Sequence, residues 1–258
     1  MMDSSIKMIV TDLDGTLLRT DKTISERTKD VLRQCRKCGI KVVYATGRGG
    51  SAEQRAPSEL FDGRISMNGA VGKINDIIVY NRMIPYLTAR TILVACDRRG
   101  IRITSEVSDM HYCNFDVLSI WPDVTNFQIV DFSIHEKDAE KIYTPNPTPE
   151  DKLFIEKLLP NELYFIMTID RIGYLGQIMH KDAKKACAAT ALAKHWGINQ
   201  SEIVAFGDDL NDIDMLSSAG VGVAMDNANA DVKAGADYVC KSNDEDGLAE
   251  WIASNLTL

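Results

Sequence analysis

The sequence predicts an α/β fold: a doubly wound parallel core sheet with a second α/β domain inserted into it. Three observations predict it. Short β-branched runs alternate with helical stretches at both ends of the chain, which is the βαβ pattern of a parallel sheet. The middle third reads differently, as alternating strands of a partly covered sheet. Acidic, glycine-bearing turns close the apolar runs near both termini.

The elements follow in order. Met8, Ile9 and Val10 open a strand that ends at Thr11-Asp12. Ser25 is a candidate N-cap for a helix over about Glu26 to Cys38, with Gly39 as the residue that ends it. Ile40 to Ala45 is a second strand, ending at Thr46-Gly47-Arg48, and Ile65 to Met67 a third, ending at Asn68-Gly69. Roughly from Pro85 to His180, the segments Ile101–Thr104, Phe127–Val130 and Tyr164–Met167 read as strands, and the Pro145–Pro149 stretch as a loop before a helix. The first pattern then resumes. Lys184 to Trp196 is an Ala-rich helix closed by Gly197, and Glu202 to Phe206 a buried strand ending at Gly207-Asp208-Asp209. A helix through Met215 and Ser218, strands over Gly220–Met225 and near Tyr238–Cys240, and a helix carrying Trp251 and Ile252 complete the chain. The expected division is a core of residues 1–83 and 181–258 and an insertion of residues 84–180.

Composition excludes several classes. With 45% hydrophobic and 26% charged residues, the 258-residue chain is neither disordered nor collagen-like. A net charge of −8 argues against non-specific nucleic-acid binding. It leaves room for a small anionic ligand, because a local cation can reverse the field inside a cleft. No apolar run approaches the roughly 18 residues of a membrane span. Met1 to Lys7 leads straight into the first strand with no signal-like segment, so a cytoplasmic location is expected. Six cysteines, at 35, 38, 96, 113, 187 and 240, then read as reduced thiols. Cys35 and Cys38 form C-x-x-C at the C-terminal end of a helix. The low thiol pKa of a redox pair arises at the other end.

The chemistry lies at the strand ends. Asp12 and Asp14 are two apart, so on an extended segment they face one site at the carboxyl edge of the sheet, where open α/β sheets bind ligands. Gly207-Asp208-Asp209-Leu210-Asn211-Asp212 follows another buried strand. If the two strands are neighbours, Asp12, Asp14, Asp208 and Asp212 converge. Two carboxylates about 4 Å apart repel by roughly 4 kcal/mol at an effective dielectric near 20, so such a group needs protons or a cation. Oxygen ligands of this kind suit Mg²⁺. Thr46 offers a hydroxyl beside the Gly47 backbone, and Lys185, with Lys184 next to it, offers a point charge to a phosphoryl group.

These stretches together resemble the haloacid dehalogenase-like hydrolase superfamily, in the Cof-type branch with a large α/β cap. The resemblance rests on Asp12-Leu13-Asp14-Gly15-Thr16-Leu17-Leu18, Ala45-Thr46-Gly47-Arg48, Asn68-Gly69, Lys185, Gly207–Asp212 and Gly222–Ala228. It implies a Rossmann-like core and a cap that reads the substrate. It implies Asp12 as the nucleophile that becomes an aspartyl phosphate and Asp14 as general acid and base. Thr46 and Lys185 would hold the phosphoryl group, with Gly47, Asn68 and Asn211 on the substrate. Asp12, the Asp14 carbonyl, Asp208 and Asp212 would hold Mg²⁺. The branch carries glycine after its lysine where this chain has Ala186, which keeps Lys184 in view, although the spacing to Gly197-Ile198 favours Lys185.

The expected function is therefore an Mg²⁺-dependent phosphatase acting on a small phosphorylated metabolite, a sugar phosphate or similar monoester. Two alternatives share the site: a phosphomutase of the phosphomannomutase type, and a non-catalytic phosphoaspartate signalling module. Arg98, Arg99, Arg102 and Arg171 are candidates for a second anionic group on the substrate. The four histidines form no metal spacing.

Overall fold

A computed structural model describes residues 6–122, 124–170 and 173–258. Met1 to Ser5 and Arg171 therefore lie outside the described residues. In chain order the elements are β1 (Met8–Thr11), α1 (Glu26–Lys37), β2 (Lys41–Ala45), β3 (Gly63–Ser66), β4 (Val71–Ile74), β5 (Ile77–Asn81), α2 (Tyr86–Arg98), β6 (Thr104–Val107), β7 (Met110–Cys113), β8 (Phe127–Ile129), β9 (Lys141–Pro145), α3 (Pro149–Leu158), β10 (Leu163–Asp170), β11 (Gly173–His180), α4 (Lys185–His195), β12 (Ile203–Gly207), α5 (Ile213–Ser218), β13 (Val221–Ala224), α6 (Ala230–Ala234), β14 (Tyr238–Val239) and α7 (Gly247–Asn255). Short 3₁₀ turns join several of them. The chain forms two compact units, Met1–Asn81 with Lys184–Leu258, and Arg82–Ala183.

The first unit carries an eight-stranded sheet in the order β14-β13-β12-β1-β2-β3-β4-β5. From β14 to β3 every pair is parallel. The chain winds from β1 outward through β2 and β3, then returns to β12 on the other side. The reversal of direction, where open sheets take their ligands, falls between β1 and β12. One extension is absent from the sequence reading: β4 and β5 add an antiparallel hairpin to the β3 edge.

Alternation places the core on both faces. Ile9, Leu32, Phe206 and Trp251 pack on one side, with the Phe206 and Trp251 rings 5.5 Å apart edge to face. Met8, Val10, Ala205 and Leu192 pack on the other. Strand β1 is wholly buried, as a central strand covered by helices on both faces must be. Helix α1 buries Thr28, Leu32 and Cys35, spaced four and three apart, on one stripe. Ser25 Oγ accepts the Thr28 N–H at 3.0 Å, and Gly39 ends the helix at φ +85°. Cys35 is buried, which pushes its thiol up to about 12, away from the low value a reactive thiol needs.

The second unit carries a six-stranded sheet, β10-β11-β9-β6-β7-β8, with one parallel pair, β7 and β8. Helices α2 and α3 contribute to its core through Ile92, Leu93, Cys96 and Ile155. Thr148 and Asp151 form a capping box at the start of α3. The strand expected at Ile101–Thr104 instead begins at Thr104. The Ile101 N–H closes the end of α2 on the Cys96 carbonyl, and the Ile103 N–H goes to Asn114 Oδ1, so neither enters the ladder. Among the described residues no helix is long and apolar enough to cross a membrane.

Candidate active site

The parallel pairing of β1 with β12 sets the site. Thr11 lies opposite Phe206, and the Asp12 N–H donates to the Phe206 carbonyl at 3.0 Å. Asp12 and the Gly207-Asp208 turn therefore leave the sheet side by side. Asp12, Asp208 and Asp212 each bring a carboxylate oxygen within 4.8 Å of the others. Asp12 and Asp212 are buried and Asp208 partly so.

Lys185 supplies the counter-charge. It is the first residue of α4, only 2% exposed, and its Nζ donates to Asp12 Oδ1 at 2.6 Å and to Asp212 Oδ1 at 2.7 Å. Lys184 points elsewhere, pairing with Asp214 at 2.9 Å at the surface. A close approach seats the lysine. Gly69 is at φ +101°, and a Cβ there would lie 2.2 Å from the Lys184 carbonyl, so the turn after β3 presses against the start of α4.

Asp212 is held from both sides. Its Oδ2 accepts the N–H groups of Asp208 and Asp209, each at 3.1 Å, while Oδ1 takes Lys185. Asp208 Oδ1 accepts from the Thr16 hydroxyl at 2.7 Å. That leaves Asp12 Oδ2 and Asp208 Oδ2 accepting no hydrogen bond among the described residues. Gly15 is what lets the Asp14–Thr16 turn come so close: at φ +83°, its Cβ would stand 2.3 Å from Asp208 Oδ2. The Asn227 amide pins the Gly15 carbonyl at 2.7 Å.

The electrostatics follow from three carboxylates sharing one lysine. Burial pushes the Asp12 carboxyl well up; Lys185 pulls against this, and Asp212 and Asp208 add to it. Burial lowers Lys185, but its two carboxylate partners outweigh that and hold it above the ordinary lysine value. Asp208 is pushed up to about 6 by burial, against the Thr16 bond and with help from Asp212 and Asp209. A buried group with this charge deficit and two free carboxylate oxygens fits a hard divalent cation.

The expected four-carboxylate cluster has three members. The Asp14 carboxylate lies outside it and is clamped by Arg48, through Nε and through Nη2 at 2.8 Å, and by Lys22 Nζ at 2.9 Å. The reason is local. Strand β1 ends at Thr11, so beyond Asp12 the two-residue alternation of an extended chain no longer aims Asp14. Half-burial raises the Asp14 carboxyl, yet Arg48 and Lys22 outweigh it and bring it to about 2. Neither partner was singled out from sequence. Arg48 was visible as the third residue of Thr46-Gly47-Arg48, whereas nothing in the local sequence marks Lys22.

Of the remaining expected residues, Gly47, Asn68 and Asn211 touch one another and Thr46 lies at the end of β2. Thr46 is 1% exposed; its Oγ1 accepts the Arg48 N–H at 3.1 Å, and its own proton has no acceptor among the described residues. Asn211 Nδ2 donates to Asn68 Oδ1 at 3.0 Å, and that same oxygen lies 2.9 Å from where a Gly47 Cβ would be. Asn68 holds a left-handed turn, φ 53° and ψ 24°. Gly47, Asn68 and Asn211 are thus one cluster.

Buried aspartates and a lysine thus meet at the reversal point of a doubly wound sheet. The chain matches the family model of the haloacid dehalogenase-like hydrolases over residues 9–252. It belongs to that family and is an enzyme. The 5-amino-6-(5-phospho-D-ribitylamino)uracil phosphatase YcsE of Bacillus subtilis is 28% identical over 263 residues, covering 97% of this chain and 96% of that protein. A phosphatase of the same superfamily from Bacteroides thetaiotaomicron superposes with a TM-score of 0.80 at 27% identity, over 96% of this chain and 94% of its own. A subclass IIB sugar phosphatase superposes with a TM-score of 0.75 at 28% identity, over 96% and 98%.

Proposed function

We propose that the chain is an Mg²⁺-dependent phosphatase that hydrolyses a small phosphorylated metabolite, a sugar phosphate or similar phosphomonoester, by way of a phosphoryl group carried on Asp12. The observation that carries this reading is the buried Asp12–Lys185–Asp212 arrangement beside Asp208, with carboxylate oxygens left free on Asp12 and Asp208. The named activities of the relatives support the substrate class.

In the first half-reaction an Asp12 oxygen bonds to phosphorus as the bond to the leaving oxygen breaks, and Asp14 gives that oxygen a proton. In the second, Asp14 takes a proton from water, the water oxygen bonds to phosphorus, and the Asp12–phosphorus link breaks to release phosphate. Arg48 and Lys22 hold Asp14 ionised, the state suited to accepting that proton. Donating one first requires this clamp to loosen, and a phosphoryl dianion beside Arg48 would compete for it. Lys185 keeps one ammonium proton beyond the two given to Asp12 and Asp212. With the free Thr46 hydroxyl and the Gly47, Asn68 and Asn211 cluster, it would hold the transferring oxygens. The oxygens of Asp12 and Asp208 and the Asp14 carbonyl would hold Mg²⁺; Asp212, expected as a further ligand, has both oxygens taken by Lys185 and by the Asp208 and Asp209 N–H groups, and would orient the others. When bound, the ion draws off phosphoryl charge. The unit Arg82–Ala183 we assign to reading the leaving group as a cap. The partner is then a soluble metabolite, not nucleic acid or membrane, in the cytoplasm.

The test is Asp12→Asn assayed with p-nitrophenyl phosphate and Mg²⁺. Turnover is expected to fall by about a thousandfold or more, with the chain still unfolding in one cooperative transition. Wild-type turnover by this variant would falsify the nucleophile assignment.

A further inference from the structure

A cavity in the unit that carries the aspartate cluster shares no residue with it. It has a volume of about 380 Å³, within the range of small-molecule sites. Its walls come from Tyr44 near the carboxyl end of β2, the segment from Glu53 to Asp62, the amino end of β3 and the Asn75-Asp76 turn between β4 and β5.

One wall is Tyr44. It lies opposite Arg64 in the sheet register and is only 3% exposed, with its ring edge-on to Phe61 at 4.9 Å. Its hydroxyl makes no hydrogen bond among the described residues. Burial pushes that hydroxyl up to about 12, with Arg64 drawing it down and Glu53 raising it, so it stays neutral. The hydroxyl opens on the cavity, where a ligand acceptor or a water would complete it.

The charge around the cavity is balanced. Arg64 is bridged to Glu53 at 3.1 Å and to Asp76, and Asp62 is bridged to Arg36 at 3.1 Å and Lys41 at 3.8 Å. A free anion entering would face Glu53, Asp62 and Asp76, and a free cation would face Arg64. A neutral hydroxyl meets neither penalty, since it donates to the carboxylates and accepts from Arg64, Asn75 and Tyr44. We infer that this cavity is a binding site for a neutral, hydroxyl-rich small molecule, a polyol or a single sugar ring, separate from the catalytic centre. The inference needs no turnover and stands apart from the proposed reaction.

Calorimetric titration of the full chain with glucose, mannitol and myo-inositol tests it. At least one is expected to bind saturably at one site per chain. Tyr44→Phe is expected to weaken that binding by about three- to tenfold, the worth of one hydrogen bond, without lowering the thermal midpoint, because the hydroxyl has no protein partner to lose. Arg64→Met should weaken it further, and Asp12→Asn should leave it unchanged. The inference is overturned if none of the three binds at about 50 mM, a concentration far above any specific site of this kind. It is also overturned if binding survives Tyr44→Phe intact, if Asp12→Asn removes it, or if Tyr44→Phe itself melts early.

Discussion

Lys185 decides the charge state of the site at the level of single residues. Its ammonium lies between Asp12 and Asp212 in a place almost closed to water, so the pair of contacts at 2.6 and 2.7 Å is unscreened. Breaking such a buried pair is costly because the stranded charge remains buried. Lys185→Met is expected to destabilise the chain by about 3–5 kcal/mol, read as a lower midpoint in urea, and Asp12→Asn placed in the same chain should recover part of the loss. An unchanged midpoint for the single variant would mean that the lysine is not holding the two carboxylates together. Thr16 and Asn227 play quieter parts, fixing Asp208 and the Gly15 carbonyl by one hydrogen bond each. Arg48 and Lys22 on Asp14 are a different case. They set the ionisation of a group proposed to move protons while lying outside the carboxylate cluster.

Two glycines separate backbone strain from site geometry at the level of elements. Gly15 and Gly39 have nearly the same φ, +83° and +85°, but a Cβ at Gly15 would strike Asp208 while one at Gly39 meets nothing within 4 Å. Each Gly→Ala change should cost about 1–2 kcal/mol through the left-handed backbone. Only Gly15→Ala should lower kcat/KM, by tenfold or more, because the turn after β1 has to retreat from Asp208. Equal kinetic losses in both variants would remove the close approach as a reason for Gly15. The same contrast shows what was legible from sequence. Caps at Ser25, Gly39 and Gly197 and the carboxylates closing β1 and β12 are written in local residue types, because a helix end or a cation site admits few others. The β4–β5 hairpin has its turn signal in Asn75-Asp76, both at positive φ. Helix α2 begins at Tyr86, after Pro85, with no side-chain cap to announce it. The run Ile101–Ile103 alternates like a strand, yet its N–H groups are taken by Cys96 and Asn114, partners that only the folded chain supplies. The Asp14 clamp was hidden for the same reason: it depends on where the backbone turns after Thr11.

At the scale of the whole molecule, the gathered carboxylates link stability to protons and, on the proposed reading, to a divalent cation that competes for the same oxygens. The Asp208 carboxyl titrates near 6 in the folded chain against 3.8 when free, and that of Asp12 is raised as well. A group with a raised folded value binds its proton more tightly in the native state. Its contribution to stability is therefore complete below about pH 4 and lost as pH rises through 6. Without a divalent cation, the gathered carboxylates make the native state progressively less favourable over that interval. A cation that binds their ionised form reverses this, since it binds the native chain better than the dispersed unfolded one. Millimolar Mg²⁺ is thus expected to raise the thermal midpoint at pH 7.5 by several degrees, the equivalent of about 1–3 kcal/mol, and by much less at pH 5, where protons occupy the same oxygens. Asp208→Asn should abolish most of the Mg²⁺ shift while raising the metal-free midpoint at pH 7.5, because it removes one of three mutually repelling carboxylates. Differential scanning calorimetry at the two pH values, with Mg²⁺ or with EDTA, reads all of these quantities. A shift that is equal at pH 5 and 7.5, or one that survives Asp208→Asn, would place the cation somewhere other than the reversal point between β1 and β12.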